Sequence, residues 1–120
     1  MEAELIRTFR FEAAHRLPNI PDGHKCRRVH GHSYRVDVHI IGPVAQHSGW
    51  VMDFGQIKRA VDPVMDVLDH QFLNDVPGLE NCTAELIAKY IWDRIAPALA
   101  GLTAVTVWES DAARCIYRGR

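Results

Sequence analysis

No hydrophobic stretch in these 120 residues approaches the ~18 apolar residues that a membrane-spanning helix needs. Neither charge sign dominates: Lys+Arg is 14, Asp+Glu is 15, and the net charge is −1. That balance gives no footing for nucleic acid or an anionic membrane surface. Cysteine is scarce, and three thiols do not build a disulfide framework. The opening residues Met1-Glu2-Ala3-Glu4 are acidic, where a secretory leader is basic. Internal repeats, low-complexity tracts and charge blocks are missing as well. These absences argue against membrane, secreted and polyanion-binding proteins, and the expectation is a cytoplasmic protein with reduced thiols.

What is present is an ordinary globular composition, 48% hydrophobic and 24% charged, in a length that suits one domain over 1–120 with one core. Seven histidines stand out, because imidazole is the commonest metal ligand. Phe9, Phe11 and Ala13 alternate along Leu5 to Arg16, which is strand periodicity. Pro18, Pro21 and Gly23 mark a loop. Tyr34, Val36, Val38 and Ile40 share one face of a second strand, His30 to Ile41. Asp53 suits the cap of a helix carrying Phe54, Ile57, Val61, Val64, Met65 and Leu68, with Gln56 completing a capping box. Pro63 falls inside that pattern and is expected to kink or interrupt it. Thr83 suits the cap of a second helix with Leu86, Ile87, Tyr90, Ile91 and Ile95 as its stripe. Leu102 to Glu109 and Arg114 to Tyr117 read as two further strands. The order ββααββ predicts an α+β domain: a four-stranded antiparallel sheet with two helices on one face. Such a sheet has open edges, through which copies of the chain could join.

His30 and His32 stand at i and i+2 on a strand, on one face, with Cα atoms ~7 Å apart. His15 ends the preceding strand on its apolar side. Antiparallel pairing through the Leu17–Arg28 loop would bring all three together. Three neutral imidazoles with one open position make a zinc site of the catalytic type. An unpartnered ring on an apolar face is costly, which is a reason to expect a ligand there. His39 points to the opposite face, His47 sits in a polar turn, and His24 remains a weaker alternative ligand.

Cys26 lies four residues before His30, among Lys25, Arg27 and Arg28, whose charges favour a thiolate. Two readings stay open: a fourth ligand of a closed Cys-His₃ site, or a free base or nucleophile beside an open one. Cys82 and Cys115 read as packing residues. Asp69-His70 can relay a proton, the carboxylate fixing the tautomer of the ring, or can be a solvated helix end. Glu109 follows Val105 and Val107 on an apolar strand face, where a carboxylate needs a partner. That partner is either a ligand with paired N–H donors or an internal arginine.

In order along the chain stand Phe11-Glu12-Ala13-Ala14-His15-Arg16-Leu17, Cys26, His30-Gly31-His32, Asp53-Phe54, Leu68-Asp69-His70, Asn74-Asp75, Glu80-Asn81, Thr83, Glu85 and Glu109. This series resembles the 6-pyruvoyltetrahydropterin synthase family over essentially the whole chain. The resemblance implies the tunnelling fold (T-fold), in which ββααββ subunits join edge to edge into a trimeric barrel, two of which usually stack as a homohexamer. The three-residue gap between Cys26 and His30 resembles the bacterial 6-carboxy-5,6,7,8-tetrahydropterin synthase branch. The animal-type branch is longer there.

That branch implies a zinc-dependent carbon–carbon lyase. It would convert 7,8-dihydroneopterin triphosphate to 6-carboxytetrahydropterin, acetaldehyde and triphosphate on the way to queuosine, a modified base of transfer RNA. By the same resemblance His15, His30 and His32 are the zinc ligands and Cys26 is the general base. Asp69 and His70 would form a relay supplied by a neighbouring subunit, and Glu109 would grip the pterin. Thr83 would sit at the substrate. Apart from the resemblance, the charges of Lys25, Arg27 and Arg28 give a basic loop that could attract the triphosphate. Cys82 departs from the branch, which often has proline there. Two alternatives accompany this reading: a pyruvoyl-forming synthase that only eliminates triphosphate, and a non-catalytic subunit binding zinc or pterin.

Overall fold

Two 14-residue strands, β1 (Glu2–His15) and β2 (His30–Pro43), pair antiparallel along their whole length. The register runs from Glu2 opposite Pro43 to His15 opposite His30. At ~3.3 Å per residue each strand reaches ~46 Å, so this hairpin sets the 57 Å long axis of the chain. The computed structural model describes residues 1–120. Its remaining elements are α1 (Phe54–Leu68), β3 (Gln71–Phe72), α2 (Ala84–Ile95), β4 (Leu102–Ser110) and β5 (Ala113–Tyr117). The sheet order is β3-β1-β2-β4-β5.

The four long strands form the expected antiparallel sheet with both helices on one face. One strand is added to the expectation. Residues Gln71 and Phe72 lie parallel to Ala13 and Ala14 on the outer edge of β1. Two residues carry no periodicity to read. Their pairing arises because α1 delivers the chain to an edge that β2 leaves free.

Alternation decides the layers. Phe9, Phe11 and Ala13 of β1, Tyr34, Val36, Val38 and Ile40 of β2, and Val105 and Val107 of β4 are buried. Against them pack Ile57, Val61, Val64, Met65 and Leu68 of α1 and Ile87, Ala88, Tyr90, Ile91 and Ile95 of α2. They belong to one continuous core, in which each large aliphatic side chain contributes ~1.5–3 kcal/mol by leaving water. Phe54 and Leu86 are exposed instead; both belong to the first turn of their helix.

Asp53 caps α1 by accepting the Gly55 N–H at 2.9 Å, and Thr83 caps α2 by accepting the Leu86 N–H at 3.3 Å. Pro63 does not break α1, which runs through it. Pro63 and Arg59 are both exposed, so water can take the Arg59 carbonyl that the missing N–H forfeits. Gly101 has φ +85°, and a Cβ there would meet the Ile41 carbonyl oxygen at 2.6 Å. That turn into β4 admits only glycine.

The other face of the sheet is polar. Asp37 is buried on it and accepts hydrogen bonds from Thr8 at 2.7 Å, from Arg35 at 3.1 and 3.2 Å, and from Trp108 Nε1 at 3.0 Å. The Trp108 ring is flanked by the guanidiniums of Arg35 and Arg114, 4.4 and 4.5 Å from its centroid.

Candidate active site and metal centre

The β1–β2 register ends on His15 opposite His30, and His32 lies opposite Ala13 on the same face. The side-chain nitrogens of His15, His30 and His32 converge within 4.8 Å of one another. Tyr34 lies beside them, its hydroxyl 3.4 Å from both nitrogens of the His15 ring. His15 is 1% exposed.

Two carbonyls settle the tautomers. His15 Nδ1 lies 2.9 Å from the Cys82 carbonyl oxygen, and His30 Nδ1 lies 2.8 Å from that of Arg28. A carbonyl only accepts, so both Nδ1 atoms carry the hydrogen and each neutral ring presents a lone pair at Nε2. Those two Nε2 atoms face each other at 3.0 Å. Lone pairs at that distance repel unless a cation lies between them. The third ring sharpens the point, since His32 Nε2 is buried with no hydrogen-bond partner.

A single proton could serve two of these nitrogens but not three. Burial pushes the pKa of His15 below the ordinary imidazole value, outweighing the pull of the Cys82 carbonyl and of Glu109, and the His30 and His32 charges add to the lowering. The donor set, three convergent nitrogens with their opposite ring N–H groups held by carbonyls on two of the rings, fits a divalent metal of the zinc type.

Cys26 is not among the converging atoms. It lines a cavity of about 410 Å³ together with Lys25, Arg28, His30, His32 and Glu109. A short 3-10 turn, Lys25–Arg27, presents it. The backbone of Cys26 is tied at both ends, its N–H to His24 Nδ1 at 3.1 Å and its carbonyl to the Leu17 N–H at 2.8 Å. The placement is that of a free thiol beside an open three-histidine cluster.

Glu109 brings Oε2 to 3.9 Å from His32 Nε2. It also borders a second cavity, about 530 Å³, with Thr83, Ala84, Glu85, Arg114 and Cys115. Glu109 therefore stands between the metal side and the start of α2. Arg27, expected at the substrate, is spent on its own loop. Its Nη1 donates to the Pro18 and Ile20 carbonyls at 2.8 and 2.7 Å. The cations left facing the cavity are Lys25 and Arg28.

The structure does not bring Asp69 and His70 into the cavity of Cys26. His70 Nδ1 lies 3.0 Å from Asp69 Oδ2, and the His70 side chain is 79% exposed. Its backbone is left-handed at φ +58°, a sparsely populated region for a residue with a Cβ. Hydrogen bonds to β1 hold it there: the His70 N–H donates to the Glu12 carbonyl at 2.6 Å.

Other residues escaped the sequence reading. Cys82 and Arg28 act through backbone carbonyls, for which no residue type is a signal. Cys115 lines a cavity although its strand position suggested packing alone. Gly31 has ordinary room, since an added Cβ would meet the Ala13 carbonyl oxygen at 3.4 Å. His39 faces away from the cluster, bound to Glu4 and Thr106.

The chain thus sets an antiparallel sheet against two helices, with a three-imidazole cluster at one end. The chain belongs to the 6-pyruvoyl tetrahydropterin synthase family, whose sequence model matches residues 4–120. It is 41% identical over 119 residues to the 6-carboxy-5,6,7,8-tetrahydropterin synthase of Synechocystis, covering 94% of this chain and 91% of that protein. It is 33% identical over 134 residues to the human 6-pyruvoyl tetrahydrobiopterin synthase, covering 98% and 92%. The solved structure of the Caenorhabditis elegans 6-pyruvoyl tetrahydropterin synthase superposes with a TM-score of 0.91 at 29% identity, over 100% of this chain and 97% of that one.

Proposed function

We propose that this chain is a zinc-dependent 6-carboxy-5,6,7,8-tetrahydropterin synthase, a carbon–carbon lyase acting on 7,8-dihydroneopterin triphosphate in queuosine biosynthesis. The observation that carries the reading is the open His15–His30–His32 cluster facing the cavity of Cys26. The choice of branch is supported by the three-residue gap between Cys26 and His30 and by the 41% identity to the Synechocystis protein.

His15, His30 and His32 would hold the zinc, which when bound would supply polarisation of the substrate's side-chain hydroxyls and so acidify the neighbouring C–H. Cys26 takes that proton as thiolate. Glu109, between the two cavities, accepts the paired N–H donors of the amino-pyrimidine ring, and Thr83 borders the same cavity at the cap of α2. Lys25 and Arg28 face the phosphates, while Arg27 keeps the loop in shape. His70, oriented by Asp69, returns the proton as the relay partner. Its exposure in the single chain suits delivery to the site of a neighbouring subunit, in a cytoplasmic homo-oligomer of the trimer or stacked-trimer kind.

Product analysis by mass spectrometry tests the reading. Zinc-loaded protein incubated with 7,8-dihydroneopterin triphosphate is expected to yield 6-carboxytetrahydropterin with acetaldehyde. Pyruvoyltetrahydropterin would move the chain to the animal-type reaction, with metal and base unchanged. No turnover by a zinc-replete oligomer would leave a binding subunit.

A further inference from the structure

We propose that Asn74 is a positioning residue for the metal centre: its amide clamps the end of β1 to the loop that holds the His15 ring. The inference rests on the reading that His15, His30 and His32 bind a divalent metal.

His15 is the last residue of β1. Its Nδ1 depends on the carbonyl of Cys82, 67 residues further along the chain, and no strand pairing fixes the distance between them. Asn74 does. It lies in a 3-10 turn, Leu73–Asp75, anchored by the fully buried Leu73. Its Oδ1 accepts the Arg16 N–H at 2.9 Å. Its Nδ2 donates to the Arg16 carbonyl at 2.8 Å and to the Glu80 carbonyl at 3.1 Å.

Arg16 directly follows His15, and Glu80 precedes Cys82 by two residues. One planar amide therefore ties both flanks of the His15–Cys82 contact. The loop side is braced again, because the Glu80 carboxylate accepts the Gly78 N–H at 3.1 and 3.2 Å. The side-chain chemistry is specific. Two carbonyls and one N–H need two donors and one acceptor on one head group, which Asn supplies and Asp cannot. Aspartate at this position turns lone pairs toward the Arg16 and Glu80 carbonyls.

Loss of the clamp frees the Cys82 carbonyl from His15, so the ring loses its fixed tautomer and direction. Partners of this kind are worth ~10–100-fold in metal affinity. The test is cobalt(II) and zinc(II) binding against a chromophoric chelator, with the cobalt d–d spectrum recorded. It uses the full chain, Asn74→Asp, Asn74→Ala and a control variant, Thr8→Val, on the far face of the sheet.

Wild type is expected to bind one metal per chain. Both Asn74 variants are expected to bind ~10–100-fold more weakly, with displaced d–d bands. Thr8→Val is expected to match wild type in affinity and spectrum although its melting temperature falls. Wild-type affinity and an unchanged spectrum in Asn74→Asp overturn the inference. Where that variant is too unstable to isolate, Asn74→Ala decides on the same terms, because it removes the bonds without adding charge. Failure of wild type itself to take up cobalt or zinc overturns the metal reading, and the two failures are thereby told apart.

Discussion

Asp69 accepts the backbone N–H of Glu12 through Oδ1 at 2.9 Å while its other oxygen lies 3.0 Å from the His70 ring. One carboxylate thus fastens the Asp69–His70 pair to β1, three residues before His15. In Asp69→Asn the amide oxygen can still accept from Glu12, but the N–H₂ end faces Nδ1 and reverses the His70 tautomer. Turnover is expected to fall ~10²–10⁴-fold with little change in melting temperature. An unimpaired Asp69→Asn enzyme would remove the pair from the mechanism. The Glu12 N–H, and then His70, hold the Asp69 pKa below the ordinary carboxylate value. The carboxylate therefore stays ionised at mildly acid pH, and any loss of activity above pH ~4 belongs to other groups.

Metal removal should cost stability, because the His15 and His30 lone pairs lose what separates them. Saturating zinc at ~100 times its dissociation constant adds ~2.7 kcal/mol, read as a rise in melting temperature that chelator reverses. His32→Ala is expected to abolish that rise. In the metal-free protein burial lowers the pKa of His15, so the unfolded chain takes the proton more readily. That contribution is complete above pH ~6.5 and is lost as the pH falls through the folded value. Melting curves from pH 8 to 5 with chelator present check the sign.

Cys26→Ala is expected to keep one zinc per chain and to lose turnover ~10²-fold or more. Metal analysis beside steady-state kinetics separates this from a closed Cys-His₃ site, in which zinc and stability would go together. Retention of full turnover would take the thiol out of the reaction.

Asp37→Ala leaves the donors of Arg35 and Trp108 without an acceptor, which costs ~1–3 kcal/mol in urea unfolding at neutral pH. Burial works against the Asp37 carboxylate, but hydrogen bonds from Arg35, Thr8 and Trp108 outweigh it and the pKa lies below the ordinary value. Its contribution is present above pH ~3.9 and is lost as the pH falls through the folded pKa. The gap between wild type and variant should therefore close on acidification.

The sheet was legible because Phe9, Phe11 and Ala13 and the run Tyr34 to Ile40 alternate without interruption, and both helices because Asp53 and Thr83 carry capping chemistry. The three-histidine cluster followed from that register, since pairing His15 with His30 is the natural end of the hairpin. Strand β3 stayed hidden because a two-residue pairing leaves no pattern. That Pro63 does not interrupt α1 was not legible, because the outcome depends on whether water reaches the Arg59 carbonyl, which only burial reveals. The Arg27 contacts were not legible because guanidinium donors serve carbonyls as readily as phosphates, and residue type does not say that Nη1 goes to Pro18 and Ile20. The contact of His15 with Cys82 was unreadable because what matters there is where a backbone passes, and the chain fixes that across 67 residues.

His70 stands open to solvent while Cys26 lines a cavity in which His70 has no part. If the proposed relay is supplied by a neighbouring chain, inactivating mutations at the two positions are expected to be complementary. On that proposal, chains carrying Cys26→Ala are expected to be inactive for want of a base, and chains carrying His70→Ala for want of a relay. Dissociated, mixed and reassembled, the two are expected to recover a share of activity that neither shows alone, because some sites then draw a sound thiol from one chain and a sound imidazole from the next. Two null alleles in one cell should rescue each other for the same reason, while a chain bearing both substitutions should poison its neighbours.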